Sequence, residues 1–460
     1  MRNRLKFIAT AVLTASLTAC AVGPDYQTPD TVADIKLESP YQPALHLQSW
    51  WQAFDDETLN HLISTALAEN RSLVRARANV ERAYALFQDL DNDLLPKGTL
   101  DAGYQASENA TLTPADDGVI VRGYRTGASL SWDPDLFGKL RRASEAAQAR
   151  AQQADILWHD AQLQLISQVA TSYGEYRGAQ MRLEVAEKNL ENLRQSRAIV
   201  LARLEAGMAS ELELAQIEVQ LHRVQASVPV HQAALLTAEA TLSALVAKKP
   251  GQLRLDPVSD LPELKHPVAV LEGENYLRYR ADVASAERLL AARTAEIGVA
   301  TADLYPNLSV GGFLGFLSAP GLTLGSDTQS WSVAPTLSWQ GADLGSVKAR
   351  IRAAEAGSKM ALAQFEQQVF NAINDMQLAL NSYNLSREQR LSVEQQWQAS
   401  HNAVKIARQR YNAGNGEFLE LLDAERELLR SREQLVLLQQ QSFIRLVNIY
   451  RSFGGGIQLI

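Results

Sequence analysis

Two periodicities alternate along this chain. The first is helical: apolar residues recur every three or four positions over very long stretches. From Gly138 to Ala206 there is no proline, and Ala147, Ala151, Ala154, Trp158, Ala161, Leu165, Val169, Tyr173 and Tyr176 mark one stripe. It resumes at Leu183, Ala186, Leu190 and Leu193. At 1.5 Å per residue such a helix is on the order of 100 Å long. The many small residues suit close packing along a coiled-coil-like seam, which a soluble rod or bundle would also show. A second such helix runs from about Leu344 to Tyr411. Each reverses at glycine, at Ala206-Gly207 and at Tyr411-Asn412-Ala413-Gly414-Asn415-Gly416, and returns over about Ser210–Val246 and Glu417–Phe453. Ser210-Glu211-Leu212-Glu213 fits a capping box, and Pro229 predicts a kink or a break. Gly414 and Gly416 are suited to a left-handed or tight turn. Shorter helices are expected over about 57–95 and 272–303, stopping at Leu95-Pro96 and Tyr305-Pro306.

The second periodicity is two, the mark of strands with one apolar face. Leu100, Ala102, Tyr104 and Ala106 form one row, and Tyr124, Thr126, Ala128, Leu130 and Trp132 another. Leu308, Val310, Leu314 and Phe316 form the third, and Trp331, Val333, Pro335, Leu337 and Trp339 the fourth. Each run is about ten residues, the span a tilted strand needs to cross a bilayer. Aromatics sit near the ends, as in an interfacial girdle. A soluble hairpin sheet on a helix is the alternative, and the recurrence of two equivalent hairpins favours the membrane. Four strands cannot close a barrel, and open edges are not tolerated in lipid. Two copies would give eight strands and a filled interior; three would give twelve and room for a lumen.

Both patterns belong to one repeat. With an offset of 207 residues Trp132 falls on Trp339, Gly138 on Gly345, Tyr176 on Tyr383, Arg203 on Arg410 and Gly207 on Gly414. Glu213 then falls on Glu420, and Glu218 on Glu425. Upstream the offset is 210, pairing Pro96 with Pro306. Halves that cannot bury their own faces imply packing side by side. Tips from both halves should therefore meet at one end.

Composition narrows the function. The formal charge is −8 over 460 residues, and the first twenty hold Arg2, Arg4 and Lys6 without an acid. Removing them deepens the negative balance, which argues against a nucleic-acid partner. Seven scattered histidines offer no metal pair, and the four methionines beyond Met1 (181, 208, 360 and 376) do not cluster. No phosphate-cradling loop or nucleophile elbow occurs, so no enzyme activity, metal or other cofactor is expected.

The single cysteine, Cys20, ends an apolar run from Phe7 to Leu17 that is too short to span a bilayer. Leu17-Thr18-Ala19-Cys20 looks like a lipobox, with Cys20 as the site of a covalent lipid; plain cleavage near Ala19 is the alternative. Ala21 follows where aspartate would favour the inner membrane, so the outer membrane and its lipids are the expected address. The prolines at 24, 29, 40 and 43 keep the following segment extended.

Several blocks carry a resemblance: Cys20-x-Val22-Gly23-Pro24-Asp25-Tyr26-x-x-Pro29, Trp50-Trp51-x-x-Phe54, and Trp132-Asp133-x-Asp135-Leu136-Phe137-Gly138. Others are Arg203-Leu204-Glu205-Ala206-Gly207-x-x-Ser210, Tyr305-Pro306-x-Leu308, and Arg410-Tyr411-x-x-Gly414 with Leu422-Asp423-Ala424. In order and spacing the chain resembles the TolC-like outer membrane factor family, of the OprM/NodT lipoprotein type. Trp339-Gln340-Gly341-Ala342-Asp343 and Arg280-Ala281-Asp282 depart from its usual sequences. The resemblance implies a mainly α-helical fold with a transmembrane β-barrel, in which a homotrimer forms twelve strands, four per chain, continued by a long α-helical barrel. It also implies a passive exit duct of a tripartite efflux pump, with a periplasmic adaptor (membrane fusion protein) and an inner-membrane transporter of the RND type as partners.

The expected layout is a signal peptide over 1–19, a lipidated extended segment over 20–56, a first repeat over 57–251, a linker over 252–271 and a second repeat over 272–460. By resemblance the periplasmic gate falls on Leu419, Glu420, Asp423 and Tyr411, with Gly207, Ser210, Gly414 and Gly416 at tip turns facing the adaptor. Three chains would then bring six carboxylates to one constriction, where like charges raise one another's pKa and attract cations. Acids in a first helical turn also simply complement the helix dipole. A structural periplasmic coiled-coil lipoprotein and a type I secretion exit duct are the other readings.

Overall fold

The computed structural model describes residues 21–29, 41–44, 49–109, 119–249, 251–253, 255, 260–264, 268–271, 277, 279–321, 323 and 325–456. The expected signal peptide, Cys20, the tip of the first strand loop and much of the expected linker lie outside the described residues. In chain order the elements are β1 (Tyr41–Ala44), a 3-10 turn (Trp50–Phe54), α1 (Glu57–Glu69), α2 (Arg71–Asn92), β2 (Lys97–Asn109) and β3 (Val119–Trp132). There follow α3 (Lys139–Glu205), α4 (Glu211–Leu245), β4 (Val268–Leu271), α5 (Ala281–Ala302), β5 (Asn307–Ser318), β6 (Gln329–Ser338), α6 (Leu344–Asn412) and α7 (Phe418–Ser452).

The helical hairpins obey the repeat closely. Outgoing helices α3 and α6 have 67 and 69 residues, and returning helices α4 and α7 have 35 each. Three expectations change. Pro229 lies inside α4 and does not interrupt it; it removes one donor, and the rest of a 35-residue helix carries the backbone past it. The helix expected over 57–95 is two, because Asn70 is extended (φ −67°, ψ 122°). Its Oδ1 accepts from the Ser72 N–H at 2.8 Å while its Nδ2 donates to the Leu245 carbonyl at 2.9 Å. One asparagine thus ends α1 and caps α2. Finally α5 starts at Ala281 rather than 272. Arg280, buried just before it, donates to the Ser452 carbonyl and to Asp282, fixing where the helix begins.

Two compact units result. One comprises Met1–Asp30, Ala78–Asp155 and Ser285–Gln367; the other comprises Thr31–Arg77, Ile156–Ala284 and Gln368–Ile460. Each draws on both repeats. The first holds the antiparallel sheet, in the order β2-β3-β5-β6. Its register (Leu100 opposite Ala128, Tyr104 opposite Tyr124, Ala128 opposite Leu314, Leu314 opposite Trp331) gathers all four apolar rows onto one face. That face is open in a single chain: Leu100 is 90% exposed and Trp331 73%. The other face carries Asp101, Gln105, Arg125, Ser129, Ser332 and Thr336. Apolar outside and polar inside is the pattern of a strand set that crosses lipid. The repeat-related Trp132 and Trp339 each donate an indole N–H, at 3.1 Å, to Leu94 and Leu304 carbonyls at the ends of the preceding helices.

In the same unit the residues after Cys20 are strapped down. Arg142, itself buried, donates to the Val22 carbonyl at 3.2 Å and to the Asp25 carboxylate at 2.6 Å. Tyr26 donates to Glu287, and Gly23 lies so close to Gly298 that neither position has room for a side chain. Burial and the Glu287 carboxylate both push the Tyr26 phenol up. Asp135 accepts from the N–H groups of Leu140 and Arg141, capping α3.

The second unit is packed around α3, α6 and α7 residues. Trp50 stacks on Tyr450 (4.7 Å between ring centroids, 13° between planes), and Phe54 meets Phe443 at 4.9 Å. Asp56 accepts from Tyr173 at 2.7 Å, whose hydroxyl in turn accepts from fully buried Arg177 at 3.0 Å. Gly174 and Gly178 leave room for Phe443 and Gln440. β1 and β4 form a parallel pair, a pairing not legible in the extended segment and linker.

Candidate functional site: the two helix tips

Both tips lie in the second unit and are built alike at their first step. Gly207 (φ 72°) and Gly414 (φ 75°) adopt the left-handed conformation. At the first tip Met208 N–H donates to Arg203 O (2.7 Å) and Gly207 N–H to Leu204 O (2.9 Å). At the second, Asn415 N–H donates to Arg410 O (2.9 Å) and Gly414 N–H to Tyr411 O (3.1 Å). These are paired Schellman bonds, which satisfy carbonyls that a helix end would otherwise orphan. Gly416 is different: its φ is not positive, and it serves by letting the chain pass close, since a Cβ there would sit 3.0 Å from the Arg410 Cβ.

The tips diverge where the returning helices start. Ser210 is an extended N-cap whose hydroxyl accepts from the Glu213 N–H at 3.2 Å, and the Glu213 carboxylate accepts from that hydroxyl at 3.3 Å. Its counterpart is Glu417, whose side chain makes no capping bond. The second tip is instead held by aromatics. Tyr411 and Phe418 are buried with ring centroids 5.7 Å apart. They share a core with Leu190, Leu193, Val200, Ile217 and Val224 of the first hairpin and with Leu421 and Leu422. The tips of both halves therefore meet, as the repeat predicts.

Arg203, from the last turn of α3, lies over the Tyr411 ring at 4.5 Å. It is a cation–π contact between the two tips. Burial pushes the Tyr411 phenol up; Arg203 opposes this, close enough to act on the hydroxyl yet without hydrogen-bond geometry, so that the hydroxyl is buried and unpaired. Farther from the turns the hairpins are cross-tied by repeat-related acids: Glu218 accepts from Arg197 at 2.7 Å and Glu425 from Arg408 at 2.7 Å.

Of the remaining sequence-predicted residues, Leu419 is 47% exposed. Glu420 and Asp423 are exposed acids one turn apart, each with a single basic neighbour: Arg410 at 3.5 Å from Glu420 and Arg426 at 3.1 Å from Asp423. The sequence reading singled out the acids and missed both arginines and the Arg203 stack. Arg426, three residues after Asp423, was within reach of a helical-spacing argument. Arg203 was not, because its contact crosses between hairpins. Among the described residues no cluster of three or more His, Cys, Asp or Glu could hold a metal. Cys20 lies outside the described residues.

The model of the outer membrane efflux protein family matches residues 62–248 and 274–455, one segment in each repeat. The chain belongs to the outer membrane efflux protein family. As an outer membrane efflux protein it is similar to the outer-membrane channel OprN, whose solved structure shares 39% identity and superposes with a TM-score of 0.90 over 95% of this chain and 99% of that one. The open-state structure of the MtrE outer membrane channel from Neisseria gonorrhoeae gives 25% identity and a TM-score of 0.83, covering 95% of this chain and 99% of that one. The solvent efflux pump outer membrane protein SrpC of Pseudomonas putida is 30% identical over 460 residues, 96% of each chain. This outer membrane efflux protein thus has the mainly helical fold of the family with four strands contributed to a transmembrane β-barrel, and it acts as an outer membrane channel in efflux.

Proposed function

We propose that three copies of this chain close a twelve-stranded barrel and a continuous helical barrel, forming a passive duct gated at its periplasmic tips. The observation that carries the reading is the contrast between tips: the first is capped, while the second exposes Leu419, Glu420 and Asp423 beside an uncapped helix start. Three such tips, each with two acids, would converge on one axis and narrow it. Leu419 blocks by bulk, and Glu420 and Asp423 set the charge. Arg410 and Arg426 hold these acids in the resting arrangement, and Tyr411 on Arg203 fastens the second tip to the first. No catalytic role and no cofactor is assigned; Cys20 carries the covalent lipid that holds the N-terminus to the outer membrane.

The partners fit the same end. The groove between α3, α6 and α7 is lined by Lys188, Asn192, Trp397, His401 and Arg432, a mixed apolar and charged surface suited to the helical hairpin of a periplasmic adaptor. An inner-membrane transporter of the RND type supplies the energy. Replacing Leu419 and Asp423 by alanine tests the gate: single-channel conductance in planar bilayers should rise several-fold. Unchanged conductance from correctly assembled trimers would remove the gate from these residues.

A further inference from the structure

The polar face of the sheet carries one built feature that the efflux reading leaves unused. Gly127 of β3 is paired with Gly315 of β5. A Cβ on either would strike the Phe313 ring, at 2.9 Å from Gly127 and 2.8 Å from Gly315. The ring therefore lies against both glycines, and Phe313 is only 8% exposed although it sits on the face opposite the apolar rows. The Arg125 guanidinium lies over that ring, 3.9 Å from its centroid, with its own side chain exposed. Glycine floor, aromatic plate and cation make a three-layer stack.

The stack is absent from the repeat-related place. Arg125 corresponds to Ser332 at the offset of 207, and Phe313 to Gly103 at the offset of 210. Those counterparts are also the strand partners: Gly103 pairs with Arg125, and Ser332 pairs with Phe313. One hairpin kept the cation and the other the ring, so each chain builds one stack. The charged groups sharing this face among the described residues are Lys97 and Asp101. Lys97 is tied to Asp93, and Asp101 accepts from the Ser129 hydroxyl one pair nearer the helices. Among the described residues Arg125 is the outer cation of the face, and its guanidinium rests on a ring.

We propose that Arg125, held on Phe313, is a selectivity residue on the inner wall of the barrel, where three copies present a ring of guanidinium groups that favours passage of anionic solutes. The inference rests on the three-chain duct proposed above. Three unit charges about 10 Å from the axis, screened over one Debye length at 0.1 M salt, change the partition of each monovalent ion by roughly two-fold in opposite senses, and so the anion-to-cation permeability ratio by roughly four- to five-fold. The planar ring fixes the height and direction of the cation, so Phe313 is a positioning residue.

The test is the reversal potential of reconstituted trimers in a potassium chloride gradient, in the Leu419→Ala/Asp423→Ala background so that the tips do not dominate. Arg125→Gln should shift the permeability ratio toward potassium by roughly four- to five-fold, Arg125→Glu by more, and Arg125→Lys should leave it close to the parent. Phe313→Leu, which keeps the charge but frees it, should give a smaller shift. Trimers of Arg125→Glu with normal conductance and an unchanged reversal potential would overturn the assignment while leaving the duct intact. Parent trimers that pass no current even with the tips opened would overturn the duct, and this inference with it.

Discussion

The two helix tips are related by the repeat and differ in how they are built. The first closes on itself: a Schellman turn at Gly207, a serine cap at Ser210 and Glu213 held beside it. The second keeps the Schellman turn but starts its returning helix at Glu417 without a side-chain cap, and puts its apolar weight into Tyr411 and Phe418. A capped start is stable where it stands, because its first N–H groups are already satisfied. The uncapped start is held instead through Phe418, Leu421 and Leu422, with Leu419 and Glu420 exposed between them. A fixed post and a leaf of this kind would suit the gate proposed above.

The largest break in this comparison should come from Phe418→Ala, which empties the core the tips share. A loss of about 3–5 kcal/mol is expected for a buried phenylalanine, read as a lowered urea midpoint and as faster amide exchange at residues 418–424. Exchange rates that stay at parental values would show that the shared core does not hold the leaf. Next comes Arg203→Ala, which removes the stack on Tyr411 at a cost of roughly 1–2 kcal/mol. Channel openings should become more frequent with little change in thermal midpoint; a variant as quiet as the parent would mean the contact is incidental.

The comparison sharpens if the caps are exchanged. Ser210→Ala should cost about 1 kcal/mol, and Glu417→Ser should return about the same at the other tip. Hydrogen exchange over 211–214 and 418–421 reads both at once, and opposite signs are the expected result. The smallest effect belongs to Arg426→Ala. Its pair with Asp423 is exposed on both sides, so at most about 0.5 kcal/mol of stability is at stake. The change should appear as altered cation block of the open channel rather than as unfolding.

Much of this architecture was open to reading because it is periodic. Helix ends at 205, 211, 412 and 418 fall within a residue or two of where glycine and the 207-residue offset place them. The four apolar rows found at alternate positions do share one face. What escaped the sequence depends on contacts between distant segments. Asn70 breaks a helix through the Leu245 carbonyl, 175 residues away, and no local propensity signals that. Pro229 signals a kink or a break, and the helix runs on past it. At the site the acids were visible as residues, while Arg203 and Phe418 gain their meaning from a neighbouring hairpin. The strand pair β1 and β4 was hidden for another reason: four residues are too few to show alternation.

The packing of Trp50 on Tyr450 bears on how the chain is assembled. These residues are separated by about 400 positions, so the contact is among the most non-local the chain makes. Loop closure over that distance comes late and slowly. Until α7 is in place, Trp50 and Phe54 lack the rings of Tyr450 and Phe443 to pack on. The beginning of the polypeptide is thus finished by its end. A chain cut short before residue 450 would keep its sheet residues and its tips, and lose the seal that marks a completed protomer.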